Sequence, residues 1–502
     1  MTQVLAIDQG TTNSKAVLVE EGGVVRAVGS APVGVAHPRP GWVEQDAEQL
    51  WSSVLTAIDR CLSSVDPAGL DLAAVALSNQ RESVVAWHRR TGRPFGPVMG
   101  WQDVRTAGWC RDRTGPDQDE LVRRRTGLRI DPMFSAPKMR WLLREAAVGG
   151  APEDVCVGTV DSWLVWRLTA GERHVTEAGN ASRTLLFDIV DLAWSPALLE
   201  LFEVPAAVLP RVLRSDGDFG VCRSTPGVPD GVPITAVMAD SHAALFGHGC
   251  TTVGTAKATY GTGTSVMTPT ASFVAGSSPV PSTLAWLTEA PTYAREGNIL
   301  SSGATLAWAA RLLGGSVPDL LARAATVEDA GAVTLIPAFT GLGAPHWDRE
   351  VRGVLTQLDP DSDPARIARA AVDAVAHQVC DVVDIIDDDP TGPLASIRAD
   401  GGLTASALVM QTQADLLGRP VEVADLPEVS ALGAADLARG RIGGTPSPRS
   451  TGRVFEPAIE DRARAERRDR WREQVRWLRS APRPEATESA TAGVELSRRE
   501  GQ

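Results

Sequence analysis

Residues 4 to 19 read VLAIDQGTTNSKAVLV. An apolar run ends in Asp8, a Gly-Thr-Thr turn follows, and Lys15 opens a second apolar run. Two strands joined by a turn of small residues make a hairpin whose backbone N–H groups and hydroxyls can face a phosphate. Asp8, at the rim of that turn, is of the type that holds a hydrated Mg²⁺, which takes one or two carboxylates together with phosphate oxygens. The same stretch also reads as an ordinary tight hairpin with a solvated carboxylate. Two further acidic residues stand in comparable settings. Asp240 ends the buried-looking run Pro233–Met238, and Asp400-Gly401-Gly402 leads from Ser396–Ala399 into a helix. A Gly-Gly turn at a helix start suits close approach of a nucleotide, and equally a plain strand-to-helix connection.

A second set of residues has acceptor-binding chemistry. In Asn79-Gln80-Arg81-Glu82 a fork of donors stands beside an acceptor pair, which suits adjacent hydroxyls of a polyol. A surface ion pair is the alternative. Trp101 follows the apolar Val98-Met99 and offers either an aromatic face for a carbon skeleton or a core indole. The seven His have no metal-ligand spacing; His242 and His248 read as structural or surface residues. G-x-S-x-G and G-x-x-x-x-G-K-[ST] are both missing, which excludes those hydrolase and P-loop readings. Six scattered Cys, without CxxC, read as reduced thiols.

These residues need elements to hold them. Strands are predicted at Val4–Ile7, Ala16–Val19 and Leu72–Ser78, and a helix over Asp46–Leu62 with Asp46 as N-cap. Further helices follow Asp131-Pro132 and Asp161. The pattern restarts near residue 240: strand Pro233–Met238, helix Ser241–Gly247, then Lys257–Tyr260 and Ser265–Met267 around Gly261-Thr262-Gly263. Two strand–turn–strand units of one kind suggest a pseudo-duplicated α/β architecture with a ligand cleft between halves. The helix Asp461–Leu478 places Trp471, Val475 and Leu478 on one face; Asp and Glu among its Arg residues favour a solvated face over a nucleic-acid patch. Residues 481–502, rich in Pro, Ala, Thr and Glu, are expected to be a disordered tail. The 502 residues carry a net charge of −13, which disfavours general affinity for nucleic acid or anionic membrane. No apolar run reaches the ~20 residues of a membrane helix and no signal-peptide pattern opens the chain, so a cytoplasmic location is expected.

Several stretches, in this order and spacing, resemble the FGGY carbohydrate kinases and, within them, the glycerol kinases. They include AIDQGTTNSKAV (6–17), SNQRES (78–83), GLRIDPMFSAPKMRWLL (127–143), NASRTLLFDI (180–189), ADSHAALFG (239–247), TYGTGTSVM (259–267), PAFTGLGAPHWD (337–348) and DGGLTASALVMQTQADLLG (400–418). The resemblance implies two actin-like ATPase (ribonuclease H-like) domains around a central cleft that closes over ATP, Mg²⁺ and a small polyol or sugar. On this reading residues 1–242 form the N-terminal domain and 243–480 the C-terminal, nucleotide-binding one, in a chain that forms a dimer or tetramer. Thr11, Thr12, Asn13, Lys15, Gly261, Thr262, Gly303, Ala307, Gly402 and Ser406 match nucleotide and phosphate positions. Asp8 matches the Mg²⁺-linked Asp, Asp240 the catalytic base, and Arg81, Glu82, Trp101 and Asp240 the glycerol contacts.

Departures from the resemblance cluster at the acceptor. Met133 stands for a usual Tyr, Ser241 for a Gln and Ser265 for a Phe; on the nucleotide side Lys15 replaces Arg, and Ala307 and Ser406 replace Gln and Asn. An enlarged pocket follows, so a longer polyol or a ketose competes with glycerol as the expected acceptor. A non-catalytic actin-like ATP-binding protein is the alternative of another class. Residues 223–232, RSTPGVPDGV, lack the Gly-Lys-Gly-Gly-Thr-Arg loop with which some bacterial glycerol kinases bind fructose 1,6-bisphosphate, so no such inhibition is expected.

Overall fold

The computed structural model describes residues 2–144, 152–273, 275–276, 278–388, 393–425, 428–445, 447 and 451–481. All of the expected tail except Ala481 lies outside them.

Two sheets organise the chain. The first runs Ile234–Ala239, Leu72–Asn79, Gln3–Gln9, Asn13–Val19, Val25–Pro32 in spatial order. The central strand Gln3–Gln9 pairs antiparallel with Asn13–Val19 on one side and parallel with Leu72–Asn79 on the other. The second sheet repeats this scheme. Lys257–Tyr260 is antiparallel to Thr264–Thr270 and parallel to Ile397–Asp400, with Pro291–Ile299 and Val421–Ala424 flanking and Ser282–Leu287 and Thr451–Phe455 at the edges. The pseudo-duplication expected from two short hairpins is therefore a property of both sheets.

Gln3–Gln9 is apolar without alternation because both its faces are covered, as in parallel sheets. Leu5 and Ile7 join the core that contains the helix Ala47–Leu62, capped by Asp46, whose carboxylate accepts from Glu48 N (2.8 Å) and Gln49 N (2.9 Å). Val4 and Ala6 face the other way, toward the helix Val429–Arg441. That helix follows the second sheet in sequence yet packs on the first sheet and on the helix Asp240–Gly247. The crossing is close: a Cβ on Gly433 would collide with the Ala243 carbonyl oxygen, and one on Gly247 with that of Val429.

Other elements match their expected positions within one to three residues. Helix Val160–Leu168 starts before Asp161 rather than after it, because Asp161 is a buried anchor accepting from Thr159 Oγ1 (2.5 Å), Thr176 Oγ1 (2.8 Å) and Glu177 N (2.9 Å). His242 and His248 are both buried, so neither is a surface residue. Trp471, Val475 and Leu478 bury one face of Asp461–Ser480. All six Cys are free and buried. Among the described residues no helix is long and apolar enough to cross a membrane, and no cluster of His, Cys, Asp or Glu forms a metal cage.

Candidate active site

Asp8 lies next to the end of the central strand of the first sheet, and Asp240 opens the helix after that sheet's edge strand. Both are half-buried. Asp8 Oδ1 has no hydrogen-bond partner. Burial raises the Asp8 carboxyl from 3.8 to about 6; Ser78 and Lys15 oppose the rise, and Asp240 and Glu428 add to it. Asp240 is raised by burial against the opposing charge of Arg81. Its side chain remains 36% exposed, with one oxygen, Oδ1, accepting from Ser241 N at 2.6 Å.

Arg81 and Glu82 connect the strand Leu72–Asn79 to Val84–His88 of a small four-stranded sheet, and they are buried rather than a surface pair. Arg81 Nε stands 3.2 Å from Asp240 Oδ1. Its two terminal nitrogens grip Glu296, at 2.8 Å (Nη1–Oε2) and 2.6 Å (Nη2–Oε1). Glu82 has φ 61°, a left-handed conformation that a non-glycine residue keeps only where its surroundings fix it. Here Ser135 Oγ donates to its carbonyl (3.1 Å) and Arg183 Nε to its carboxylate (2.7 Å). Arg183 Nη1 then reaches Glu296 Oε2 at 2.9 Å. Burial works against the Glu296 carboxylate, yet Arg183 and Arg81 hold it well below the usual range.

The remaining acceptor positions adjoin this cluster. Trp101 is half-buried; its Nε1 donates to Thr11 Oγ1 (3.0 Å) and its backbone N to Ser83 Oγ (3.0 Å), tying the indole to the phosphate-type turn. Ser265 Oγ donates to Glu296 Oε1 (3.1 Å) and accepts from Lys257 Nζ (3.3 Å), a buried ammonium that burial drives toward its neutral form. Met133 is buried, its N bonded to Asp131 Oδ1 (2.8 Å) and its carbonyl to Lys138 Nζ. Ser241 is half-buried beside Asp240.

On the other half, the turn Gly261-Thr262-Gly263 meets the start of helix Gly303–Leu312. Gly303 N donates to Gly261 O (3.0 Å), and Ser302 N (2.8 Å) and Ala304 N (3.1 Å) donate to Thr262 O. A Cβ on Gly303 would come 2.7 Å from Gly261 O, so only glycine fits there. Gly401, at φ 93°, lies against Tyr260 and brings Gly402 to the same corner. Ala307 is half-buried on that helix. The Ser406 hydroxyl caps helix Ala407–Leu417 by accepting from Val409 N (3.3 Å). In the first hairpin Gly10 N bonds Asn13 O (2.9 Å), leaving Thr12 and Asn13 exposed. Lys15 Nζ pairs with Glu428 Oε2 at 2.5 Å.

Sequence reasoning missed Glu296, Arg183, Lys257, Glu428 and the His248–Asp400 pair. A charge inside the strand Pro291–Ile299 was the available signal for Glu296, since a buried charge must find a partner. Glu428 carried none.

Residues 3–247 match the N-terminal domain, and residues 256–439 the C-terminal domain, of the FGGY family of carbohydrate kinases. The chain belongs to that family. A glycerol kinase of Koribacter versatilis is 40% identical over 451 residues, covering 88% of this chain and 90% of the relative. An apulose kinase of Pectobacterium atrosepticum is 41% identical over 496 residues, covering 96% and 99%. The crystal structure of Plasmodium falciparum glycerol kinase with ADP superposes with a TM-score of 0.87 at 26% identity, covering 95% of this chain and 98% of that one. This FGGY chain is a carbohydrate or polyol kinase built on two actin-like, ribonuclease H-like halves, and kinases of the family use ATP. A non-catalytic role is not favoured.

Proposed function

We propose that this kinase transfers the γ-phosphate of ATP to a terminal hydroxyl of glycerol, giving glycerol 3-phosphate. The observation that carries the reading is the half-exposed Asp240 carboxylate 3.2 Å from Arg81, in one cluster with Glu82. Arg81 donates to, and Glu82 accepts from, neighbouring hydroxyls of the acceptor, whose carbon chain lies on Trp101. Asp240 takes the proton of the terminal hydroxyl as its oxygen attacks the γ-phosphorus and the bond to the β-phosphate oxygen breaks, releasing ADP. Burial raises the affinity of Asp240 for that proton.

The hydroxyls and N–H groups of Thr11, Thr12 and Asn13 on one half, and of Thr262 and Gly402 on the other, offer donors to the phosphates, while Gly261 and Gly303, whose N–H groups bond Gly263 O and Gly261 O, allow close approach of the nucleotide. Lys15 adds a positive charge, without the bidentate fork of an arginine. Ala307 and Ser406 border the nucleotide, with the Ser406 hydroxyl already engaged as a cap. The unpartnered, buried Oδ1 of Asp8 fits a hydrated Mg²⁺, which supplies charge neutralisation of the phosphates when bound. We assign as the two lobes that close on these ligands the part built on the first sheet, with helix Val429–Arg441 packed on it, and the part built on the second sheet; the boundary expected between 242 and 243 falls inside helix Asp240–Gly247.

A longer polyol or a ketose is the second reading. Three observations favour it: small serines stand at positions 241 and 265, Met133 is buried, and an apulose kinase is among the relatives. ADP release with glycerol, erythritol, D-threitol, ribitol, xylitol and D-xylulose decides between them. Glycerol leading in kcat/KM by about tenfold, a difference of ~1.4 kcal/mol in transition-state stabilisation, is the expected result. A longer acceptor in the lead would overturn it.

A further inference from the structure

We propose that Glu296 is the positioning residue of the acceptor site. It aims the Arg81 guanidinium at the acceptor and, through Arg183, fixes the Glu82 carboxylate. This rests on Arg81 and Glu82 gripping the acceptor, as proposed above.

Glu296 is fully buried and Arg183 is 1% exposed, so both stand behind the residues that face the cleft. Both Glu296 oxygens are in use. Oε1 accepts from Ser265 Oγ (3.1 Å) and lies 2.6 Å from Arg81 Nη2; Oε2 accepts from Arg81 Nη1 (2.8 Å) and forms an ion pair with Arg183 Nη1 at 2.9 Å. A bidentate pair fixes the plane of a guanidinium as well as its place. With both terminal nitrogens held from behind, Nε of Arg81 is left turned toward Asp240. Arg183, shared between Glu296 and Glu82, carries the same constraint to the second acceptor residue. Two arginines and two glutamates thus close a charge-balanced ring inside the protein.

The ring spans the molecule's two halves. Arg81, Glu82 and Arg183 come from the part built on the first sheet, whereas Glu296 lies on Pro291–Ile299 of the second. Its backbone is firmly seated: a Cβ on the adjoining Gly297 would collide with Val382 of the helix Pro364–Asp387. The second half, which carries the Gly261 turn, therefore also supplies the piece that sets the geometry of the acceptor site.

Loss of the Glu296 charge leaves the Arg81 charge without its main counterion. Arg81 then turns to Asp240, which shifts the base toward greater acidity and withdraws the guanidinium from the acceptor. The test is steady-state kinetics of Glu296→Gln and Glu296→Asp with whichever panel acceptor the wild type phosphorylates. Wild-type turnover of glycerol reports on the proposed function; the ratio of variant to wild type reports on Glu296. Glu296→Gln is expected to raise the acceptor KM about tenfold or more, leave the ATP KM within about twofold, and move the acid limb of the pH–kcat profile to lower pH. Glu296→Asp keeps the charge with a shorter reach, so it should show a smaller rise in acceptor KM and little movement of the acid limb. If Glu296→Gln does not fold, Glu296→Asp carries the same comparison of the two KM values. Unchanged acceptor KM and acid limb in a folded variant would overturn the proposal, as would equal changes in both KM values.

Discussion

Lys15 Nζ and Glu428 Oε2 stand 2.5 Å apart, joining the second strand of the first sheet to the residue that precedes helix Val429–Arg441. Their side chains are 34% and 19% exposed, and a pair this open contributes at most ~1 kcal/mol to stability. With Lys15 at the phosphate site, as proposed, Glu428 would compete with the nucleotide for its charge. Glu428→Gln should lower the ATP KM several-fold and Lys15→Met should raise it roughly tenfold, both with little change in melting temperature. Parallel ATP titrations of the two variants check this, and a rise in ATP KM for both would contradict it.

Asp240→Asn should reduce kcat by ~10²–10⁴, the usual contribution of a general base, while ADP binding measured by calorimetry stays near wild type. Retention of more than about a tenth of wild-type turnover would remove Asp240 from the role of base.

Asp8 predicts opposite pH responses for the fold and for the cation. The folded chain holds this proton more tightly than the unfolded chain, about 6 against 3.8. Its contribution to stability is therefore fully present below the lower value and is lost as pH rises through the higher one. With Asp8 as the proposed Mg²⁺ residue, cation binding would need the ionised carboxylate, so the Mg²⁺ concentration for half-maximal activity should climb as pH falls below about 6, approaching tenfold per unit. Mg²⁺ titrations of activity between pH ~5 and ~8 read this directly. Asp8→Asn should weaken the response to Mg²⁺ at every pH and remove the stability change across this window.

Gly433→Ala places a methyl group against the backbone of Ala243, three residues beyond Asp240. Neither helix backbone can yield without moving the other. A destabilisation of about 1–3 kcal/mol is expected, as for other overpacked contacts, together with a fall in kcat because the helix that begins with Asp240 is displaced. Thermal melts and turnover of the same preparation measure both.

The hairpins, the capped helix after Asp46 and the halves' shared scheme were legible in the sequence, because burial on both faces imposes long apolar runs and phosphate-type turns demand Gly and Thr. Arg81, Glu82 and Asp240 were legible as a set only through the family resemblance, since the Arg81-Glu82 pair alone read as a surface ion pair; the structure brings the three together. What escaped were partners distant in sequence. Arg81 and Glu296 lie 215 residues apart, and Lys15 and Glu428 lie 413 apart. No periodicity or spacing reports such a meeting. Asp161 misled for a related reason: the helix expected after it in fact contains it, because Thr176 and Glu177, beyond that helix, claim its carboxylate.

The helix Val429–Arg441 has a consequence for how the protein comes into being. Val4, Ala6, Val17, Ala74, Ala76 and Met238 form an apolar face that is covered by residues near 431–438. During synthesis, the ribosome has made the first sheet long before it makes that cover. A nascent chain paused anywhere in between presents an oily surface to solvent or to a chaperone, and a fragment ending near residue 242 keeps it permanently. Native structure in the first half is thus completed only once the helix Val429–Arg441 has been made.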